Sequence, residues 1–172
     1  MEGKKISESE TTMTEMIMPN DTNPLGNLMG GYLMRWMDIA SGICAAKHAE
    51  SYVVTASVDH ISFQSPIKLG DVITLKAKVT RTFNTSLEIY IEVFASDILG
   101  KNSRKSNHAY FTFVALDDKS GKPTKVKPVI PLTNEEQKLY ESASRRRELR
   151  LILSGRMKAS EASEIKGYFQ KL

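Results

Sequence analysis

Between residues 71 and 96 hydrophobic and polar side chains alternate with a period of two. Ile73, Leu75, Ala77 and Val79 oppose Val72, Thr74, Lys76 and Lys78, and after a short break Leu87, Ile89, Ile91 and Val93 repeat the pattern. That period belongs to strands with one buried face. Two more segments, YVVTASVDHISF (52–63) and SNHAYFTFVAL (106–116), are rich in β-branched and aromatic residues and predict strands as well. TTMTEMIM (11–18) alternates in part and predicts a short first strand. The separators suit antiparallel neighbours: FNTS (83–86) is short enough for a hairpin, and SPIKLGD (65–71) and DILGKNS (97–103) carry Pro66, Gly70 and Gly100.

One segment breaks this rhythm. From Gly30 to about His48 the chain reads as a helix that is apolar on nearly every side, with Leu33, Met34, Trp36, Met37, Ile39, Ala40, Ile43 and Cys44. Such a helix is expected to be buried, so the sheet should wrap it. One helix followed by four long strands in series is α+β, not alternating βαβ. Beyond DDKSGKP (117–123) the composition changes: Pro128 and Pro131 mark an extended linker. Thr133 and Glu136 then form a T-x-x-E capping box that opens a heavily charged helix running to about Leu153. The expected divisions are a flexible polar lead (1–10), a main domain (11–123), and a linker with a helical extension (124–172).

Charge and composition narrow the function classes. The formal net charge is +4 and the pI is about 9.1, with the basic residues concentrated late, among them Arg145, Arg146, Arg147 and Arg150. A mildly basic balance suits a phosphorylated small ligand as well as nucleic acid. No stacking aromatics are interleaved with the late basic residues, which disfavours a nucleic-acid module. The single cysteine, Cys44, excludes an internal disulfide framework and a thiolate-rich metal site. His48, His60 and His108 lie on unrelated segments without metal-ligand spacing and read as structural or surface residues, so no metal is expected. No apolar run is long enough to span a bilayer, and MEGKKISESE lacks the apolar centre of a signal peptide. Together these point to a cytoplasmic protein with no membrane partner.

The candidate chemistry sits at the start of the apolar helix. A carboxylate on such a helix, Asp38, costs several kcal/mol unless a partner or a site accommodates it. Asp38 could form a structural pair with Arg35, or act as a general base or nucleophile. Asn23, fifteen residues earlier in TNPLGN, is by itself a turn residue, but its amide is also suited to positioning a water or a carbonyl. Gly30 and Gly31 punctuate the helix entry. Without side chains there, a substrate can approach the first backbone N–H groups, and those donors suit an oxyanion. Thr55 stands seventeen residues beyond Asp38 on the next strand, where Thr is ordinary. Cys44 reads as a small core residue.

Taken in order, N-x-x-G-x-x-x-G-G (Asn23, Gly26, Gly30, Gly31), a helix carrying Asp38, then Thr55 and F-x-x-P-x-x-x-G-D (Phe63, Pro66, Gly70, Asp71) resemble the hotdog-fold acyl-CoA thioesterases. The likeness is greatest to the branch of YciA-like and brain-type acyl-CoA hydrolases and covers roughly residues 11–123. The resemblance implies a long helix wrapped by an antiparallel sheet, and homodimers that join their sheets edge to edge and share two sites, assembled as trimers of dimers. It also implies hydrolysis of fatty acyl-CoA to fatty acid and coenzyme A without metal or redox cofactor. Asn23 and Asp38 take the positions of the family's catalytic pair, with Thr55 assisting and Gly31 as oxyanion donor. Asn84, Thr85 and Ser86 at the hairpin are candidate contacts for coenzyme A. Arg145 and Arg146 either clamp its phosphates or form a solvated helix face. Two other readings stay open: a non-catalytic acyl-CoA-binding hotdog domain, and an acyl-thioester dehydratase or hydratase, which would want a catalytic His near the helix.

Overall fold

Five strands form one antiparallel sheet in the order β2-β4-β5-β6-β3. They are β2 (Thr11–Met16), β3 (Tyr52–Phe63), β4 (Val72–Thr82), β5 (Ser86–Ser96) and β6 (Arg104–Leu116). β1 (Lys4–Lys5) and β7 (Val129–Ile130) pair in parallel beside it. This computed structural model describes residues 2–170. Its residues group into two compact units, Met1–Ile130 and Pro131–Leu172.

In the first unit the alternating residues do what their period requires. Ile73, Leu75, Ala77 and Val79 of β4, and Leu87, Ile89, Ile91, Val93 and Ala95 of β5, are all buried. They meet α1 (Gly30–Ala49), which presents Leu33, Trp36, Met37, Ala40, Ser41, Cys44, Ala45 and His48. Counted from Leu33 they fall at i, i+3, i+4, i+7, i+8 and onward, one stripe of a 3.6-residue period. The α+β architecture and the strand succession agree with the sequence reading.

The helix differs from expectation in one respect that matters for function. It is buried on one face only: Met34, Ile39 and Ile43 are exposed, and Asp38 is half-buried. One sheet layer can cover only one side of a helix, so a second apolar face stays uncovered within a single chain. The sheet edge is equally open. None of the twelve residues of β3 is buried, and β3 is paired along one side alone. A long unpaired edge is a template for another strand.

The expected flexible lead is a folded segment instead. Lys4 and Lys5 pair with Val129 and Ile130, and Ile6 is a core residue. The lone Ile6 among polar neighbours is the plug that holds this segment down. Buried Ser9 and the imidazole of His48 lie 3.3 Å apart, and the other ring nitrogen is 3.1 Å from the Lys127 carbonyl. Burial lowers the His48 pKa. The helix ends at Glu50 in the left-handed region (φ 54°), its N–H donating to the Ala46 carbonyl. Hydrogen bonds from Lys127 and Lys4 hold the Glu50 carboxyl at about 2.

The second unit contains α2 (Asn134–Leu153) and a short α3 (Ser163–Phe169). α2 starts at the expected capping box: the Thr133 hydroxyl accepts from the Glu136 amide, and the Glu136 carboxylate accepts from the Thr133 and Leu132 amides. α3, which sequence pattern did not reveal, begins where the Glu148 carboxylate accepts the N–H groups of Glu164 and Ile165 at 3.1 and 2.9 Å. That capping explains a nearly buried glutamate on a charged helix. Among the described residues no helix is long and apolar enough to cross a membrane.

Candidate active site

Asp38 lies two turns into α1, and the adjoining strand β3 brings Thr55 to it. The Thr55 hydroxyl donates to Asp38 Oδ1 at 2.7 Å. β3 is irregular at this point: its register against β6 slips between Thr55 and Ser57, and again between Asp59 and Ser62. A bulge re-aims the side chains beside it, and no residue type in ASVDHISF marks one, so sequence reasoning missed it. His60, in the second irregular stretch, takes a positive φ of 58°.

Asn23 sits in the turn before the helix, and that turn is built around it. Its side-chain oxygen accepts the N–H groups of Leu25 and Asn27 at 3.0 and 3.1 Å, and its own backbone N–H donates to the Asn27 carbonyl. Gly26 adopts φ 72°, which the turn requires. The turn reading of Asn23 is therefore correct for its oxygen. Its side-chain nitrogen donates to none of the described residues. The turn is pinned from both sides, by Leu69 N–H to the Gly26 carbonyl and Leu28 N–H to the Ile67 carbonyl.

Helix α1 begins without a capping side chain at Met29. The Tyr32 and Leu33 amides reach the Met29 carbonyl, while those of Gly30 and Gly31 donate to none of the described residues. Two unsatisfied donors at the positive end of a helix dipole are suited to an oxyanion. A Cβ on Gly31 would meet nothing within 4 Å, and one on Gly30 would lie 3.5 Å from the Phe63 ring. The space beside Gly31 is open.

The remaining residues singled out in the sequence have other partners. Asp71 accepts from the Lys68 amide and from Arg104 at 2.7 Å, and Gly70 turns at φ 82°, so this motif is turn architecture. Ser86 and Thr85 accept the Phe83 and Ala115 amides through their carbonyls, and Asn84 accepts that of Val126. Arg145 lies over the Tyr168 ring at 4.5 Å, and Arg146 donates to the Ser142 hydroxyl and the Leu139 carbonyl. The hairpin and these arginines belong to different units. Burial pushes the Cys44 thiol up to about 12, a core thiol rather than a nucleophile. Among the described residues no group of three or more His, Cys, Asp or Glu could hold a metal.

Residues 25–100 match the thioesterase superfamily model. The chain is 35% identical over 145 residues to the uncharacterised acyl-CoA thioester hydrolase YkhA of Bacillus subtilis, covering 84% of each. It is 38% identical to mouse acyl-coenzyme A thioesterase 11 over 87% of its own length but only 25% of that protein. It thus spans about a quarter of the length of that longer relative. A solved hexameric acyl-CoA thioesterase superimposes with a TM-score of 0.85 at 38% identity, over 90% of this chain and 98% of that one. The Staphylococcus aureus acyl-CoA hydrolase, solved with butyryl coenzyme A and coenzyme A, gives 0.81 at 37% identity, over 88% and 94%. That enzyme has also been solved with single Ala replacements of an Asn, an Asp and a Thr, spaced by fifteen and seventeen residues. Asn23, Asp38 and Thr55 are the same residue types at the same intervals. The chain belongs to the thioesterase superfamily, in its branch of hotdog-fold acyl-CoA thioester hydrolases.

Proposed function

We propose that this protein hydrolyses acyl-CoA to a carboxylic acid and coenzyme A, at a site formed by two copies of the chain. The observation that carries the reading is the Asp38 carboxylate held by Thr55 at 2.7 Å on the same helix that opens with two unpartnered glycine amides. Asp38 is seven residues beyond Gly31, about 10 Å along the axis at ~1.5 Å per residue. Within one chain, base and oxyanion donors are too far apart to act on one thioester carbon. An antiparallel second copy, joined through the open β3 edge and the uncovered helix face, brings Asp38 of one chain beside Asn23 and Gly31 of the other. The hexameric relative supports assembly of this kind, and a trimer of such dimers is the arrangement we propose.

In the general-base route, a water positioned by the Asn23 amide attacks the thioester carbonyl as its proton passes to Asp38. The carbonyl oxygen gains negative charge against the Gly31 N–H. Collapse breaks the carbon–sulfur bond, and the coenzyme A thiolate takes the proton back from Asp38. Direct attack by Asp38 through an anhydride uses the same residues. Thr55 holds the carboxylate orientation. Asn84, Thr85 and Ser86, and separately Arg145 and Arg146, are proposed contacts for the coenzyme A portion, which enters as substrate and leaves as product.

The test is thiol release from acyl-CoAs of graded length. The unmodified chain is expected to be active and Asp38→Ala to lose roughly 10²–10⁴-fold in kcat while staying folded and oligomeric. Near-normal turnover by Asp38→Ala at saturating substrate would overturn the assignment.

A further inference from the structure

The stripe of α1 that the sheet leaves uncovered carries a cation as well as Asp38. At about 100° of turn per residue, Arg35 lies about 40° to one side of Gly31 and Asp38 about 20° to the other. Gly31, Arg35 and Asp38 therefore follow one another along one face of the helix. Gly31 and Arg35 are exposed and Asp38 is half-buried. Gly31 and Arg35 also line one cleft on this face, together with Met29 and Tyr32.

Arg35 does not pair with Asp38 of its own chain, the partnership that the sequence allowed. Among the described residues Asp38 accepts from Thr55, and Arg35 makes no hydrogen bond or ion pair. The direction of the side chain accounts for this. A long side chain on an α-helix leans over the turn N-terminal to its own Cα, so Arg35 leans towards Gly31 and away from Asp38. The lysine of the same helix, Lys47, is taken at the far end by the Thr11 hydroxyl and the Glu10 carbonyl.

We propose that Arg35 is a positioning residue of the shared site, its guanidinium pairing across the interface with Asp38 of the other chain. The proposal rests on the thioesterase reading and the two-chain site above. Asp38 of one chain level with Gly31 of the other puts the two-fold axis between Met34 and Arg35. The two arginines start beside that axis and lean apart, one into each site. There Arg35 stands with Asn23 and Gly31 of its own chain, facing the carboxylate that the other chain supplies. Closing the interface takes water from that carboxylate, whose partner is a neutral hydroxyl, and a carboxylate so covered needs a counter-charge. Thr55 holds Oδ1, and Arg35 takes Oδ2. An ionised carboxylate offers about four acceptor positions, so two bonds leave room for the attacking water.

The experiment measures thiol release by Arg35→Ala and Arg35→Lys oligomers and by co-expressed pools. Arg35→Ala is expected to lose about ten- to a hundredfold in kcat, as for a lost bond to a charged group, with KM for acyl-CoA kept. Arg35→Lys should retain more activity, and added methylguanidinium should restore part of the alanine variant's loss. Co-expression with Asp38→Ala leaves each mixed dimer one site with both residues intact, so that pool should recover to about a quarter of full activity. Co-expression with Asn23→Ala leaves a lesion in both sites of every mixed dimer, so that pool should stay near its parents. Arg35→Gln takes the place of Arg35→Ala in every arm should the alanine variant fail to assemble. Unmodified kcat in the Arg35 variants, or any other pattern of recovery in these two pools, would overturn the Arg35 pairing. Failure of Asn23→Ala with Asp38→Ala to recover would instead overturn the two-chain site, and absence of thiol release by the unmodified chain would overturn the thioesterase reading.

Discussion

Mixing two inactive variants tests whether the site is shared between chains. Asn23→Ala removes the amide before the helix, and Asp38→Ala removes the carboxylate within it. About 10 Å of helix separates Asp38 from the Gly30–Gly31 entry at ~1.5 Å per residue, and Asn23 is tied into the turn ahead of that entry by its bonds to Leu25 and Asn27. If each site takes Asn23 and Asp38 from opposite chains, each homo-oligomeric variant has two damaged sites per dimer. A mixed dimer has one site with both residues missing and one with both intact. Its activity is therefore expected at about half that of the unmodified dimer. Random pairing makes about half of all dimers mixed, so a co-expressed pool should recover about a quarter of full activity. Each parent alone is expected to stay about a hundredfold or more below it. Differently tagged chains, purified through both tags and assayed by thiol release, exclude oligomers built from one variant alone. Hetero-oligomers no more active than their parents would place the two residues in one chain's site or remove Asn23 from catalysis.

Three further outcomes are expected. Thr55→Val keeps shape but removes the 2.7 Å bond to Asp38; a bond to a charged group at this exposed position suggests about a tenfold loss in kcat, and unchanged steady-state kinetics would make Thr55 an ordinary strand residue. Arg146→Glu is expected to raise KM for acyl-CoA with kcat kept, as for a contact made equally in ground and transition states; an unchanged KM at low salt would return Arg146 to a structural role on its helix, beside Ser142 and Leu139. Stability should depend on pH in two windows. His48, its pKa lowered by burial from an ordinary 6.5, binds its proton more readily in the unfolded chain, so stability falls as pH drops below that value and His48→Gln should flatten this limb in denaturant titrations. Glu50, held at about 2 against an ordinary 4.5, contributes stability above 4.5 that is lost as pH falls towards 2, and Glu50→Gln should flatten that second limb, to which Asp117, lowered by its hydrogen bonds from Ser120, also contributes.

The sequence was most readable where burial follows a single period. Ile73 to Val79 and Leu87 to Val93 face one core, so their alternation alone predicts the central strands, and Thr133 with Glu136 marks the start of α2 because capping is local chemistry. It was least readable where structure depends on one contact from a distance. A lone Ile6 anchors the polar segment 4–9, a single carboxylate, Glu148, starts α3, and a register slip beside Thr55 leaves no mark on residue type. The α1 helix is a further case. Its composition predicts burial on nearly every side, yet Met34, Ile39 and Ile43 are exposed and Asp38 is only half-buried in one chain. Hydrophobic pattern reflects the surface a chain buries in its working state, not in isolation. The surplus of apolar residues on this helix and the unpaired β3 edge are then one observation made twice. Both fit the second copy proposed above, in which Asp38 of one chain faces the proposed oxyanion donors of the other.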